Sequence, residues 1–202
     1  MLRLSSMLFA AAMLAQPAQA GVMYSWHQTA ASPSMPSGLN LELEFSEAAV
    51  QQGKLRLDIR ANCHQGYCYD GQDSLLALRY WFDVDNGDGT TTRANYIDYG
   101  HQSAPKYYSD SIVLDLDFMP GGLLSGWIVA NDSNTDFELA SSGPAFTVVR
   151  TGSDEGPCDG SIPVCSGELG ELRIDAAQIP EPSSAAIAGL GLLAAWFARR
   201  RR

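Results

Sequence analysis

Residues 75–92 read LLALRYWFDVDNGDGTTT, and this stretch carries the signals of a β-strand, a tight turn and a second β-strand. Leu75–Val84 is dense in apolar and aromatic side chains, which suits a central strand covered on both faces. The dipeptides Asn86-Gly87 and Asp88-Gly89 supply the residues with positive φ that a tight hairpin turn requires. A second strand is predicted at Thr91–Tyr99. The stretch therefore predicts a β-hairpin and, around it, an antiparallel sheet.

Strand signals with a period of two recur along the chain. Apolar residues occupy alternate positions within 39–45, 55–60 and 112–118, mostly with charged residues between them, as in strands with one buried face. One or two helical turns are predicted at Ser46–Gln52. Further strands are predicted at Gly126–Ala130, Phe137–Ala140, Ala145–Arg150 and Leu169–Asp175. About eight or nine short strands predict an all-β fold, a single-domain antiparallel β-sandwich or jelly roll.

The N-terminal segment, residues 1–20, has the three parts of a secretory signal peptide. Arg3 is its only charge, an apolar run follows, and Ala18 and Ala20 precede Gly21 as the small residues of a cleavage site. This arrangement is typical of a signal that is removed on export. We therefore expect an exported protein in which residues 21–178 form the extracellular β-sandwich domain.

The segment 179–202 combines Ile179-Pro180-Glu181-Pro182 with an uncharged run at 185–198 and four final arginines, Arg199, Arg200, Arg201 and Arg202. As a helix, the run is about 21 Å long and therefore a weak transmembrane helix for a hydrocarbon core of about 30 Å. Trp196 and Phe197 lie beside the arginines, where interfacial aromatic residues are found. The arginines favour the cytoplasmic side, which leaves the body of the protein outside the membrane.

These C-terminal features resemble the PEP-CTERM sorting signal of Gram-negative bacteria, with Ile179 where that family often has Val. The resemblance covers about 24 of the 202 residues. It implies that an exosortase, a membrane cysteine transpeptidase, is the processing partner and removes the tail near Pro180, Glu181 and Pro182. It also implies transient contact with the inner membrane, a final location in the periplasm, at the cell surface or outside the cell, and an association with exopolysaccharide and biofilm. An ordinary single-pass anchor is the alternative.

Charge and cysteine content limit the function and the compartment. The chain has a net charge of −10, and residues 21–198 carry −15 because they hold eight basic and 23 acidic residues. Nucleic-acid binding is excluded, since it requires a basic surface. In an oxidising compartment, Cys63 with Cys68 and Cys158 with Cys165 predict two disulfides that shape short loops, the second in a projecting segment at 152–167. Cross-pairing and a four-cysteine zinc site are the alternatives.

Two groups of residues are candidates for ligand binding. Asp83, Asp85 and Asp88 offer the oxygen ligands that calcium prefers, although their spacing does not fit an EF-hand loop and the hairpin turn is the alternative. The second group contains six tyrosines, predicted in loops or at strand ends, whose rings either stack on sugars or pack at strand edges: Tyr67, Tyr69, Tyr96, Tyr99, Tyr107 and Tyr108. No Gly-x-Ser-x-Gly motif is present in the sequence, and we assign no catalytic residue and no required cofactor.

The sequence therefore predicts an exported, non-enzymatic protein of the cell surface or extracellular matrix, associated with biofilm exopolysaccharide and processed by an exosortase. The first alternative is a carbohydrate-binding module that uses surface tyrosines, assisted by calcium. A secreted hydrolase with two acidic residues as a catalytic pair is the second alternative.

Overall fold

A computed structural model describes residues 21–59, 73–100, 110–132, 134–154, 156–158 and 165–174. This part of the chain contains ten strands and one short helix. The strands are β1 (Gly21–Ala30), β2 (Leu39–Ser46), β3 (Lys54–Asp58), β4 (Leu75–Asp85), β5 (Thr91–Gly100), β6 (Asp110–Met119), β7 (Leu123–Asp132), β8 (Thr135–Ser142), β9 (Ala145–Ser153) and β10 (Leu169–Ile174). The helix is α1 (Glu47–Gln51). The predicted signal peptide, sorting segment and Cys63–Cys68 bridge lie outside the described residues.

All strand pairs are antiparallel, and backbone hydrogen bonds join the strands in the order β3-β6-β7-β8-β9-β10-β1-β2-β4-β5. An additional pairing joins β7 to β10 at Leu123 and Arg173, beyond the tip of the β8–β9 hairpin. The quoted stretch forms the β4–β5 hairpin, in which Asp85 pairs with Thr91. The predicted hairpin and the predicted all-β class are therefore confirmed.

The two halves of the sheet face each other across one hydrophobic core. Tyr80 on β4 stacks on Phe137 of β8 with ring centroids 4.3 Å apart, although the two strands are distant in the sheet order. Phe118 on β6 packs edge-on against Phe45 of β2 at 5.2 Å and also contacts Tyr24 of β1 at 5.9 Å. These contacts bury apolar side chains from strands on both sides of the fold. A separate two-sheet sandwich stays a prediction, because the hydrogen bonds join all ten strands in one sheet.

The predicted helical turn is confirmed at α1, and its first residues explain why it forms. Ser46 precedes the helix in an extended conformation, and its Oγ accepts a hydrogen bond from the backbone N–H of Ala49 at 3.3 Å. This is the N-cap interaction that satisfies a free donor of the first turn. Ala49 is buried, so the turn also seals the core between β2 and β3. Among the residues that the structure describes, no helix is long and apolar enough to cross a membrane.

Strand β1 is the main element that the sequence did not reveal. It pairs with β2 and β10, with Tyr24 opposite Leu43 on one side and Ile174 on the other. Met23 and Tyr24 are both buried, while the last four residues of the strand are exposed. The apolar side chains therefore do not alternate, and a strand of this kind has no period-two signal to detect.

The predicted Cys158–Cys165 disulfide is present, with the two Cα atoms 5.8 Å apart. The projection of residues 152–167 stays a prediction, because residues 155 and 159–164 lie outside the described part of the chain. Both cysteines are buried in the core, and β9 holds them through hydrogen bonds from Thr151 N to Cys165 O at 2.9 Å and from Ser153 N to Cys158 O at 3.1 Å. The four-cysteine zinc site is wrong, because two of its thiols form this bridge.

Candidate binding cleft

A polar cleft of about 490 Å³ opens where the ends of β5, β7, β8 and β9 meet. Its volume lies in the range of ligand sites in proteins. One wall is the beginning of β5, and the other is formed by the β7–β8 turn and the end of β9. The lining residues are Thr92, Arg93, Ala94, Tyr96, Asp132, Asn134, Thr135, Ser153, Asp154 and Gly156.

Hydrogen bonds hold the β7–β8 turn, which is part of the second wall of the cleft, in place. Asp132 Oδ1 accepts bonds from the backbone N–H groups of Asn134 at 3.1 Å and Thr135 at 2.7 Å, as aspartates do at tight turns. The backbone N–H of Asp154 donates to Asn134 O at 2.8 Å, and the hydroxyls of Thr135 and Ser153 lie 3.2 Å apart. These bonds fix the backbone of the turn and the hydroxyls of Thr135 and Ser153 within this wall.

Arg93 and Tyr96 form the β5 wall. The guanidinium carbon of Arg93 lies 4.3 Å from the ring centroid of Trp81, a cation–π contact that holds the side chain against the sheet. Tyr96 is 40% exposed, so much of its ring is available to a ligand. Partial burial raises the pKa of the Tyr96 phenol, and hydrogen bonding and charge from Asp98 act in the same direction. The phenol is therefore a neutral donor and acceptor at physiological pH.

A second cleft of about 250 Å³ adjoins the first one and shares Asn134, Thr135, Ser153 and Asp154 with it. Asp136, which lines this second cleft, forms an ion pair with Arg150 at 2.7 Å. Together, the two clefts present hydroxyl, amide, carboxylate and guanidinium groups and one aromatic ring. This mixture suits a ligand with many hydroxyl groups, because such a ligand needs both donors and acceptors.

The tyrosines predicted as sugar contacts divide into different environments. Tyr96 lies at the cleft with an exposed ring. Tyr99 is 5% exposed and part of the core, so its assignment as a surface contact is wrong. The period of two along β5 explains this outcome, because Ile97 and Tyr99 point into the core. Four other predicted contacts lie outside the described residues: Tyr67, Tyr69, Tyr107 and Tyr108.

The aspartates of the β4–β5 hairpin bond to protein donors. Asp85 Oδ1 accepts from the backbone N–H of Gly87 at 2.8 Å, and Asp88 Oδ1 accepts from the backbone N–H of Thr90 at 2.9 Å. Asp88 also accepts from the Thr90 hydroxyl, and this side-chain bond, followed by the backbone bond, lowers the pKa of the Asp88 carboxyl. Asn86 N donates to Thr90 O at 3.0 Å and closes the turn. The aspartates are thus part of the hairpin itself.

Asp83, the remaining candidate calcium ligand, lies on β4 two residues before Asp85. Its two carboxylate oxygens accept hydrogen bonds from Trp81 Nε1 and Asn40 Nδ2, each at 3.1 Å. Within the described ranges, no three His, Cys, Asp or Glu side chains form a group that could hold a metal ion. Calcium binding at Asp83, Asp85 and Asp88 stays a prediction, and this geometry does not add support for it. A melting temperature that is unchanged by millimolar calcium and by EDTA would contradict it.

Most residues of the cleft were not predicted as binding residues from the sequence. Asn134, Thr135 and Ser153 carry no individual signal, although the run Asn131–Asn134 has the composition of a turn. Arg93 and Asp154 are 61 residues apart in the sequence, and only the folded sheet brings their strands together. A tertiary arrangement of this kind has no local pattern.

Comparison with known proteins concerns the C-terminal segment. The family model of the PEP-CTERM protein-sorting motif matches residues 178–202. The chain carries a PEP-CTERM motif. The predicted resemblance is therefore confirmed, and the match begins at Gln178, one residue before the predicted boundary. No curated protein and no solved structure matches the chain.

The PEP-CTERM motif indicates an exported protein for which an exosortase is the processing partner. Such proteins cross the inner membrane and are sorted to the cell envelope or surface. The predicted processing residues Pro180, Glu181 and Pro182 lie within the matched range but outside the described residues. The same holds for the predicted membrane-anchoring residues Trp196, Phe197 and Arg199–Arg202, while the signal-cleavage residues Ala18 and Ala20 also lie outside the described part.

Proposed function

We propose that this chain is a non-enzymatic protein of the cell surface or extracellular matrix, sorted by an exosortase that cuts near Pro180–Pro182. The PEP-CTERM motif at residues 178–202 carries the proposal. Two further features support it. The Cys158–Cys165 disulfide is typical of proteins in an oxidising compartment. The net charge of −10 favours solubility outside the cell.

A non-catalytic role also agrees with the chemistry of the cleft. Asp132 has its Oδ1 oxygen engaged by two backbone donors of the β7–β8 turn. Asp136 is paired with Arg150. Carboxylates with these partners stabilise turns and strand pairs. Their contacts are structural, which agrees with a cleft that binds a ligand without catalysing its cleavage.

The sorting step is tested by mass spectrometry of the protein from a host that contains an exosortase and from its exosortase-deletion strain. We expect the protein from the first strain to lack Arg199–Arg202, and the protein from the second strain to keep them. A matched control is the triple variant Pro180→Ala, Glu181→Ala and Pro182→Ala, which keeps the apolar run and the arginines. This variant should stay uncut in both strains. An intact C-terminus at Arg202 in the exosortase strain would contradict processing.

Carbohydrate binding at the cleft is the second candidate function, and the exposed ring of Tyr96 beside fixed polar groups favours it. Aromatic rings supply large contact area at low entropic cost, while the hydroxyl, amide and carboxylate groups of the cleft suit sugar hydroxyls. The association of PEP-CTERM proteins with exopolysaccharide gives this candidate a natural ligand class.

The second candidate is tested with Tyr96→Ala in affinity gels that contain a neutral polysaccharide. We expect this variant to bind about tenfold more weakly than the unmodified chain, as expected for loss of an aromatic contact. Tyr96→Phe keeps the ring and should retain most of the binding. Equal retardation of Tyr96→Ala and the unmodified chain would contradict a role for the cleft.

A further inference from the structure

We propose that the outer face of the sheet around Trp127 binds a neutral, linear polysaccharide, with a sugar ring stacked on the indole. The Trp127 face consists of Trp127 and its neighbours Arg56, Asp115, Glu138, Ala140 and Arg150. The proposal deepens the carbohydrate-binding candidate and rests on it for the ligand class, but it depends on a different surface from the cleft.

Trp127 lies near the middle of this face. It is 39% exposed, whereas the next residue on β7, Ile128, is fully buried, so the indole points away from the core. Asp115 on β6 and Ala140 on β8 are its direct neighbours across the sheet. Ala140 in turn pairs with Thr147 on β9. The side chains beside the ring on the β8 and β9 side are small, which leaves room for a planar ligand.

The indole of Trp127 is held in one orientation. Its Nε1 donates to Glu138 Oε1 at 3.0 Å, and the other oxygen of Glu138 accepts from Arg150 Nε at 3.2 Å. Arg150 is fixed from its other side by the ion pair with Asp136 at 2.7 Å. A single exposed apolar side chain needs no functional explanation, but a ring anchored by such a chain of contacts is preorganised. The indole therefore loses little freedom when a flat ligand stacks on it.

The charges of the face match a neutral ligand. Arg56 pairs with Asp115 at 2.5 Å, Lys54 pairs with Asp117 at 3.3 Å, and Arg150 pairs with Asp136. Each of these cations is already compensated, so the face has no excess positive charge to attract an anionic polymer. The same ion pairs still offer donors and acceptors to hydroxyl groups. A neutral sugar chain satisfies both the exposed indole and the paired charges.

The extent of the face favours a polymer over a single sugar. Arg56 on β3 and Arg150 on β9 are separated by β6, β7 and β8 in the sheet. At about 4.8 Å per strand, the backbones of β3 and β9 lie about 19 Å apart along the sheet, with Trp127 on β7 between them. Such a width accommodates several linked sugar rings.

Affinity electrophoresis of the full chain in mild detergent tests the proposal. The gels contain hydroxyethyl cellulose or laminarin as neutral polysaccharides, or alginate as an anionic one. We expect retardation in at least one neutral gel and about tenfold weaker binding for Trp127→Ala. Trp127→Phe keeps an aromatic face and should bind within about threefold of the unmodified chain. Val149→Ala is the matched control, because Val149 is 43% exposed beside Arg150 on β9 and its truncation removes apolar surface without removing an aromatic ring.

Intrinsic fluorescence gives a second measurement that is independent of the gels. Hydroxyethyl cellulose should protect the unmodified chain from quenching by acrylamide, and this protection should be lost in Trp127→Phe, because Trp127 is the most exposed tryptophan among the described residues. Binding of Trp127→Ala equal to that of the unmodified chain would overturn the proposal. So would an equal loss in Val149→Ala, retardation in alginate alone, or no retardation in any neutral gel.

The variants also separate this proposal from the cleft. Loss of binding in Trp127→Ala with normal binding in Tyr96→Ala supports the Trp127 face and contradicts the cleft. The reverse pattern supports the cleft and overturns the Trp127 face. Loss in both variants, with Val149→Ala unaffected, assigns binding to both surfaces.

Discussion

Two tryptophans of this protein make the same hydrogen bond in opposite surroundings. Trp26 Nε1 donates to Glu168 and Trp127 Nε1 donates to Glu138, both at 3.0 Å. Glu168 is 1% exposed and Trp26 packs against the core, whereas Trp127 is 39% exposed on the outer face. The two pairs therefore differ in their burial and not in their hydrogen bond, and burial decides the role of each tryptophan. The first pair stabilises the fold, and the second presents a ring to solvent.

The surroundings of Glu168 shift the pKa of its carboxyl and determine the cost of losing the hydrogen bond from Trp26. Burial raises the pKa of the Glu168 carboxyl, while the hydrogen bonds from Trp26 and Gln28 lower it in part. The backbone carbonyl of Glu168 also accepts from Val148 N at 2.9 Å, which joins this residue to β9. A buried acceptor that loses its donor carries a desolvation cost, which an exposed one avoids through water.

The largest expected effect belongs to a glycine beside the exposed tryptophan. A side chain at Gly126 would overlap the backbone carbonyl of Asp115, and the residue has φ of 129°, in the range that favours glycine. We expect Gly126→Ala to lower the free energy of unfolding by about 4 kcal/mol or more. A side chain at Gly170 would meet the ring of Trp26, which is a side chain and not backbone, and no positive φ adds strain there, so Gly170→Ala should cost less. Urea denaturation compares the two variants, and the reverse order would contradict this account.

The second prediction concerns the buried pair directly. Trp26→Ala should lower the free energy of unfolding by about 3 kcal/mol, because it removes core contacts and leaves the Glu168 carboxylate without its indole donor. Trp26→Phe keeps much of the packing and should fall between this variant and the unmodified chain. Denaturation curves give both values. A Trp26→Ala variant as stable as the unmodified chain would contradict a stabilising role for the Trp26–Glu168 pair.

The third prediction uses the disulfide next to the buried pair. Replacing both Cys158 and Cys165 by serine should lower the free energy of unfolding by about 2 kcal/mol, as expected for a short loop. The loosened chain before Glu168 should make the fluorescence of Trp26 more accessible to acrylamide. The same substitutions in a Trp26→Phe background report on the remaining tryptophans and should give no such change. If acrylamide quenching is unchanged in both backgrounds, the disulfide does not support the Trp26–Glu168 pair, and this prediction is wrong.

The fourth prediction is that the free energy of unfolding depends on pH through Glu168 of the buried pair. The folded-state pKa of Glu168 lies above its ordinary value of 4.5, so the folded protein holds the proton over a pH window in which the unfolded chain releases it. The resulting contribution to stability is complete below the unfolded pKa and is lost as the pH rises through the folded pKa. Glu168→Gln does not titrate, so its stability should fall less over this window. Urea midpoints measured across the window would contradict the prediction if both proteins followed the same curve.

The smallest stability effect is expected at the exposed tryptophan. Trp127→Ala should change the free energy of unfolding by less than about 0.5 kcal/mol, because the side chain contributes little to the core. Urea denaturation of Trp127→Ala and Trp26→Ala under the same conditions measures the two losses of stability directly. A loss at Trp127 as large as that at Trp26 would show that both pairs are structural.

Local patterns in the sequence were sufficient for much of the fold. The alternation in Leu39–Phe45 and Ile112–Phe118 identified two strands, the Asn-Gly and Asp-Gly dipeptides identified a hairpin, and Ser46 capped the predicted turn. The near spacing of Cys158 and Cys165 identified their bridge. Each of these features depends on residues close together in the chain.

Features that depend on distant parts of the chain were not visible in this way. Strand β1 gave no alternation, because its two buried residues are consecutive. Tyr99 was assigned to the surface because the sequence does not say which face of β5 meets the core. The cleft combines residues from four strands and the Trp127 face from five, and no local pattern encodes these arrangements.

The register of β1 against β10 places the two ends of the described domain at the same pole. Tyr24 pairs with Ile174, so the strand that begins at Gly21 and the strand that ends at Ile174 share one pole of the molecule. The cleft lies at the opposite pole, since Thr92 is near the start of β5 and Ser153 ends β9. A ten-residue strand places about 30 Å between the poles. The cleft therefore lies at the pole opposite Ile174, the last described residue before the PEP-CTERM segment.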